Sequence, residues 1–387
     1  AGLSFAFDPV AERLVLDRIG VESRTLRLAA RGHVDMPGLA AGLPGDLITQ
    51  IAVEDLRVDP EGLFAEAVAF SEGALDLRLR LDPFAIDIGQ AVLVDGERRI
   101  AASGRVRAGA DGWRLALDIG LNRITHERLL ALWPVSLVPK TREWLAENVL
   151  DGTLSDVTAA VRLAPGDAPV FSLGYAFSGT DVRFLKTLPP IEKGYGHATI
   201  DGNAYVMVLD RGQVTPPEGG PIEMAGSVFS VLDILAKPAQ AEVSLRTTSS
   251  LTAALSLLDQ EPFRFLTKAG RGVDLGQGTA RLSTVLRLPL IPKVPVESIS
   301  YQVAGEVSGF SSDRIVPGRT ITAERLSITA DPKALEVAGA ARMGAVAFDG
   351  SWRLGLRKED KGASVVAGQV AITPDAVADF APGLKGM

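Results

Sequence analysis

Cysteine is absent from this 387-residue chain, which excludes disulfides and thiolate metal sites. Aromatic residues make up only 6% while apolar residues reach 47%, so any interior must be built from Leu, Val, Ile and Ala. Such side chains suit sheet faces better than aromatic-lined pockets. No apolar run approaches the roughly 18 residues that span a bilayer as a helix. A basic tract is missing too: 40 Lys+Arg stand against 47 Asp+Glu, for a net charge of −7, and few rings are available to stack on bases. That balance argues against nucleic acid as a partner. The chain starts at Ala1 with neither an initiator methionine nor a signal peptide, and reads as an excised piece of something longer.

What is present is alternation. In "GALDLRLRLDPFAIDIG" (73–89), Leu75, Leu77, Leu79 and Leu81 occupy every second position, with Asp76, Arg78, Arg80 and Asp82 between them. Successive side chains on a strand point to opposite faces, so the leucines share one face and the charges the other. The same period recurs in "TLRLAA" (25–30), "ITQIAV" (48–53), "WRLALDI" (113–119), "VTAAVRLA" (157–164), "SLGYAFSG" (172–179), "AEVSLRT" (241–247), "VLRLPL" (285–290) and "WRLGLRK" (352–358). Turn chemistry such as "VDGE", "GADG" and "PPEGGP" separates them, as expected of antiparallel β-structure.

Two segments have helical spacing instead. In 125–152, Pro134 and Pro139 divide the pattern into two short helices, with Thr141 as a candidate N-cap and Gly152 as terminator. The segment 250–268 reads as one short helix capped by Ser250. Trp133 and Trp144 are expected to anchor the first pair onto the sheet.

An internal similarity links "IAASGRVRAGADGWRLAL" (100–117) to "LEVAGAARMGAVAFDGSWRLGL" (335–356) through a Gly-x-x-Arg strand, an Asp-Gly turn and Trp-Arg-Leu. Trp113 and Trp352 imply a period of about 240 residues and a quasi-linear architecture. On this reading, residues 1–123 end one repeat, 124–371 form a full repeat, and 372–387 begin the next.

Catalytic signatures are not found. His33, His126 and His197 are scattered across an expected strand, a helix start and a turn, without metal-ligand spacing. Ser308 in "GEVSGF" lacks the spacing of a nucleophile elbow. "GVDLGQGTARL" (272–282) has Gly276 and Gly278 but Arg281 at the third position, and reads as a turn or bulge rather than a phosphate-binding loop. No cofactor and no catalysis are expected.

The stretches "LLALWPVSLVPKTREWLAENVLDG", "FSLGYAFSGTDVRFLKTLPPIEKGYGHATIDGNAYVMVLDRGQV", "GSVFSVLDILAKPAQAEVSLRT", "LDQEPFRFLTKAGRGVDLGQGTARLSTVLRLPL" and "FDGSWRL" resemble the periplasmic part of YhdP-type members of the AsmA-like superfamily, over about residues 70–387. The resemblance implies an elongated, taco-like antiparallel β-groove with a few short helices. It also implies a periplasmic location, anchoring to the bacterial inner membrane by a segment not present here, reach toward the outer membrane, and conduction of phospholipids.

The groove-lining candidates are Leu75, Leu77, Leu79 and Leu81; Trp113, Leu115 and Leu117; Leu173, Tyr175 and Phe177; Leu286, Leu288 and Leu290; and Trp352, Leu354 and Leu356. Phospholipid acyl chains are the expected partner. For each residue the plain alternative is packing against a helix or a facing sheet. A second function class also stays open: a structural or regulatory envelope scaffold that binds proteins through sheet edges.

Overall fold

The computed structural model describes residues 1–357, 359, 364–374 and 376. Strands hold 62% of the chain and helices 10%, and every pairing assigned is antiparallel, so the protein is mainly β, with four short helices delimited among the described residues. The chain divides into two compact units, Ala1–Thr180 with His197–Gly202, and Asp181–Gly196 with Asn203–Met387.

The first unit holds β1 (Gly2–Asp8), β2 (Arg13–Glu22), β3 (Leu26–Asp35), β4 (Asp46–Val58), β5 (Val68–Phe70), β6 (Glu72–Arg80), β7 (Ala85–Asp95), β8 (Arg98–Gly109), β9 (Gly112–Thr125) and β10 (Val149–Leu163). They form a meander in chain order in which β4 pairs with both β5 and β6. Helices α1 (His126–Leu132) and α2 (Pro139–Asn148) join β9 to β10. Strands β11 (Val170–Val182) and β12 (Ile191–Asp201) follow.

The second unit contains β13 (Ala204–Val214), β14 (Ile222–Glu223), β15 (Ser227–Val231), β16 (Gln240–Ser250), β17 (Gln277–Pro289), β18 (Ser300–Val316), β19 (Arg319–Ala330), β20 (Ala334–Met343), β21 (Val346–Gly355) and β22 (Ser364–Ala371). Helices α3 (Leu251–Leu258) and α4 (Phe265–Lys268) join β16 to β17. From β15 onward each strand pairs with the next.

The helices depart from expectation in detail. Pro139 occupies the first helical turn of α2 and Val138 the N-cap, so Thr141 lies inside the helix: proline needs no N–H partner there. Gly152 is a strand residue at φ +150 rather than a terminator, because β10 already begins at Val149. Ser250 does cap α3, its Oγ accepting from the N–H of Ala253 at 3.0 Å. The stretch 250–268 nevertheless splits into two helices on either side of Pro262, which cannot continue a helix. Trp133 donates from Nε1 to Leu137 O at 2.7 Å, a bond within the segment that joins the two helices, and Trp144 is 47% exposed. His197 lies within β12 instead of a turn.

The internal similarity does not carry over to the hairpins. Trp113 comes one residue after the Ala110–Asp111 turn and pairs with Ala108, while Trp352 sits deep in β21 and pairs with Val337. Asp349 and Gly350, expected in a turn, are mid-strand; the turn is at Gly344–Ala345. The expected boundary at 123/124 falls inside β9, and 372–387 lies mostly outside the described residues.

Buried side chains are few. In the second unit Ala280, Val307, Phe310, Ala323 and Ala341 form a cluster against which Leu251 and Ala254 of α3 pack. Val68, Phe70 and Ile124 are buried in the first unit. The accessible surface is 23,212 Å². Two separate compact bodies sharing this mass would expose roughly 17,600 Å², so much of the sheet surface is left open.

Candidate functional site

Residues directly opposite one another on antiparallel strands point to the same face. Tracing the registers across the first unit therefore gives complete rows. One runs Phe5, Leu16, Gly32, Ile51, Leu75, Ala91, Ala102, Ile119 and Ala159, from β1 to β10, without a polar residue. The adjacent row contains Val34, Thr49, Leu77, Ile88, Gly104, Leu117 and Val161. Most members of these rows are half-buried, since neighbours on the same face shield one another.

The second unit repeats the arrangement. Met207, Phe229, Val243, Leu286 and Tyr301 form one row, and Gly305, Ile328, Val337, Trp352 and Val366 another. Burial in this row pushes the Tyr301 phenol above its ordinary pKa, and the charge of Asp331 adds to the shift.

The opposite face is charged and cross-linked. Arg80 meets Asp46 at 3.3 Å, Gln90 meets Asp76 at 2.7 Å, Arg162 meets Asp118 at 2.5 Å and Arg287 meets Glu242 at 2.7 Å. Pairs this exposed contribute at most about 1 kcal/mol each. Their consequence is wetting: the aliphatic face is the dry one. An open depression of about 720 Å³ lies on the polar side, where Val92, Ala101, Gly120 and Thr158 make a row of small side chains.

Glycines bend the ladder toward the aliphatic side. A Cβ on Gly32 would stand 2.0 Å from the carbonyl oxygen of Gln50, and one on Gly104 or Gly305 would stand 2.2 Å from Ala116 O or Arg281 O. Only a strand that closes on its neighbour over this face brings a carbonyl so near, and only glycine tolerates the approach.

The expected residues fall on strands of both units. Leu75, Leu77 and Leu79 on β6 share a face with Leu115 and Leu117 on β9, all half-buried. Trp113 joins them at the strand end, 57% exposed and edge-on to Phe84 at 5.6 Å. On β11, Leu173, Tyr175 and Phe177 alternate with Gly174, which lies on the polar side beside Thr158; Phe177 is buried. Leu286 and Leu288 share one face of β17, and Trp352 and Leu354 one face of β21.

Leu81, Leu290 and Leu356 lie just past the ends of β6, β17 and β21, with Leu81 and Leu290 about half exposed. The alternation outruns the strands there, yet Leu290 N–H and Leu356 N–H still donate to Ala239 O at 2.8 Å and Lys333 O at 2.9 Å. Leu14, Leu16, Val34, Ile51, Ile328 and Val337 also belong to the aliphatic rows without having been singled out. The alternation in "RLVLDRIGV" is the signal that would have found the first two.

Among the described residues no group of His, Asp and Glu could hold a metal ion, and no helix is long and apolar enough to cross a membrane. No family model, curated protein or solved structure matches the chain.

Proposed function

We propose that this chain conducts phospholipids, with the acyl chains lying on its aliphatic faces, as the periplasmic part of a protein anchored in the bacterial inner membrane and reaching toward the outer membrane. One observation supports this most directly: a nine-strand row with no polar side chain, half-exposed along its length. The resemblance to the AsmA-like superfamily points the same way.

Energetics favour such a surface. A diacyl lipid crossing water exposes about 30 methylenes at about 0.8 kcal/mol each, a penalty of about 24 kcal/mol. A face of similar side chains lowers that penalty at every step and offers no deep well in which a lipid would stall. The charged face keeps the sheet wetted while the other holds hydrocarbon.

Native mass spectrometry and lipid extraction of the purified chain test the proposal. Co-purifying phospholipid is the expected result. A lipid-free chain that instead elutes with a stable protein partner would replace it with the scaffold reading.

A further inference from the structure

Charge interrupts the aliphatic face of the first unit in one place. Along β7 the sequence of that face is Leu93 then Asp95, and along β8 it is Ile100 then Arg98; the register pairs Leu93 with Ile100 and Asp95 with Arg98. Arg98 Nη1 donates to Asp95 Oδ2 at 2.6 Å. From above, Arg128 of α1 donates through Nη2 to the same oxygen at 2.9 Å and to Ala69 O at 3.4 Å. Both arginines are largely buried, at 19% and 27% side-chain exposure, and the Nε of each is buried without a partner.

One carboxylate thus faces two guanidiniums, and each guanidinium has five N–H donors. The site carries excess positive charge and unused donors, and it sits where the hydrocarbon rows end. Arg123, next after Leu117, Ile119 and Leu121 on the same side of β9, adds a further cation toward that end.

We infer that Arg98 and Arg128 hold the phosphate of a phospholipid whose acyl chains cross first the Leu93–Ile100 row and then the Leu75–Ile119 row. This inference rests on the proposed function and gives it a polarity: the head group lies at the α1 end and the tails run toward the middle of the strands. A phosphate accepts from two guanidiniums in the bidentate manner that suits arginine.

The test measures binding of dioleoylphosphatidylglycerol, dioleoylglycerol and oleate to the full chain and its variants. In R98Q/R128Q, binding of the phosphatidylglycerol should fall about tenfold while dioleoylglycerol binding is kept. Asp95→Asn removes the competing carboxylate and should raise phosphatidylglycerol affinity about threefold; a merely structural Asp95 would give only a lower melting temperature. Equal losses for both glycerolipids, or weaker phosphatidylglycerol binding in Asp95→Asn, would overturn the inference. So would a double variant that loses only oleate, which would assign the site to a carboxylate. Wild-type protein that binds none of the three lipids counts against the aliphatic-face reading itself, whereas glycerolipid binding unchanged in every variant removes only the head-group site.

Discussion

Arg287 and Glu242 face one another across β17 and β16 with Nε and Oε2 2.7 Å apart, while the next residues along, Leu286 and Val243, are partners on the opposite side of the same ladder. The two faces of the sheet therefore differ completely within one residue step. What each face contacts can be tested separately.

Leu79 sits between Leu47 and Ile86, and Leu288 opposite Ala241, all on aliphatic faces. Both leucines are only half-buried, so Leu79→Asp and Leu288→Arg should cost about 1–2 kcal/mol of stability. Lipid capture should be abolished. Denaturant unfolding and lipid extraction read the two effects, and a variant that fails to fold would place that leucine in a sealed core.

Photo-crosslinkers discriminate the faces on a single strand. A crosslinker replacing Leu77 should capture phospholipid, while one replacing Asp76 or Arg78 should capture none. Equal labelling at the three positions would mean that lipid does not distinguish the two sides of β6.

Gly305 is predicted to be intolerant for a geometric reason, since a methyl group there would meet Arg281 O at 2.2 Å. Gly305→Ala should lose about 3 kcal/mol. Gly89, whose Cβ would lie 3.7 Å from Asp76 O, is the control, and Gly89→Ala should stay within about 0.5 kcal/mol of wild type. Thermal and chemical denaturation measure both.

Ser250 holds two elements at once: its Oγ donates to Gly219 O at 2.7 Å and accepts from Ala253 N at 3.0 Å. Ser250→Ala should cost about 1 kcal/mol. Hydrogen exchange in α3 should rise more than in the strands of the first unit.

The start of α4 gives a pH dependence. The Thr267 hydroxyl first, then the N–H groups of Thr267 and Leu266, hold the Asp259 carboxyl below its ordinary pKa. A carboxylate depressed in the folded state stabilises the fold fully above its unfolded pKa of about 3.9 and loses that contribution as pH falls through the lower folded value. Asp259→Asn should be less stable than wild type at pH 6, and the two should converge in acid. A constant difference across that range would show that the ionised form contributes nothing.

Legibility from sequence followed the range of the physics. Period-two alternation is a property of each strand alone, so Leu75, Leu77 and Leu79, or Leu115 and Leu117, can be assigned to one face before any partner is known. The bulge at Gly278, between Gln277 and Thr279, was likewise signalled by two glycines in three residues. Turn position was not so local. Asp111 closes a hairpin with help from Arg114, while the similar Asp349–Gly350 pair is drawn into the ladder by Gly339 and Gly368.

By itself the sequence determined that the chain would form strands with one oily and one charged face, because side-chain direction depends only on neighbouring backbone. Tertiary structure alone decided that the oily faces align into rows across successive strands, that glycines let the ladder close toward them, and that α1 delivers Arg128 onto Asp95. Those outcomes depend on register and on contacts between residues far apart in the chain, and these arise only when the strands pair.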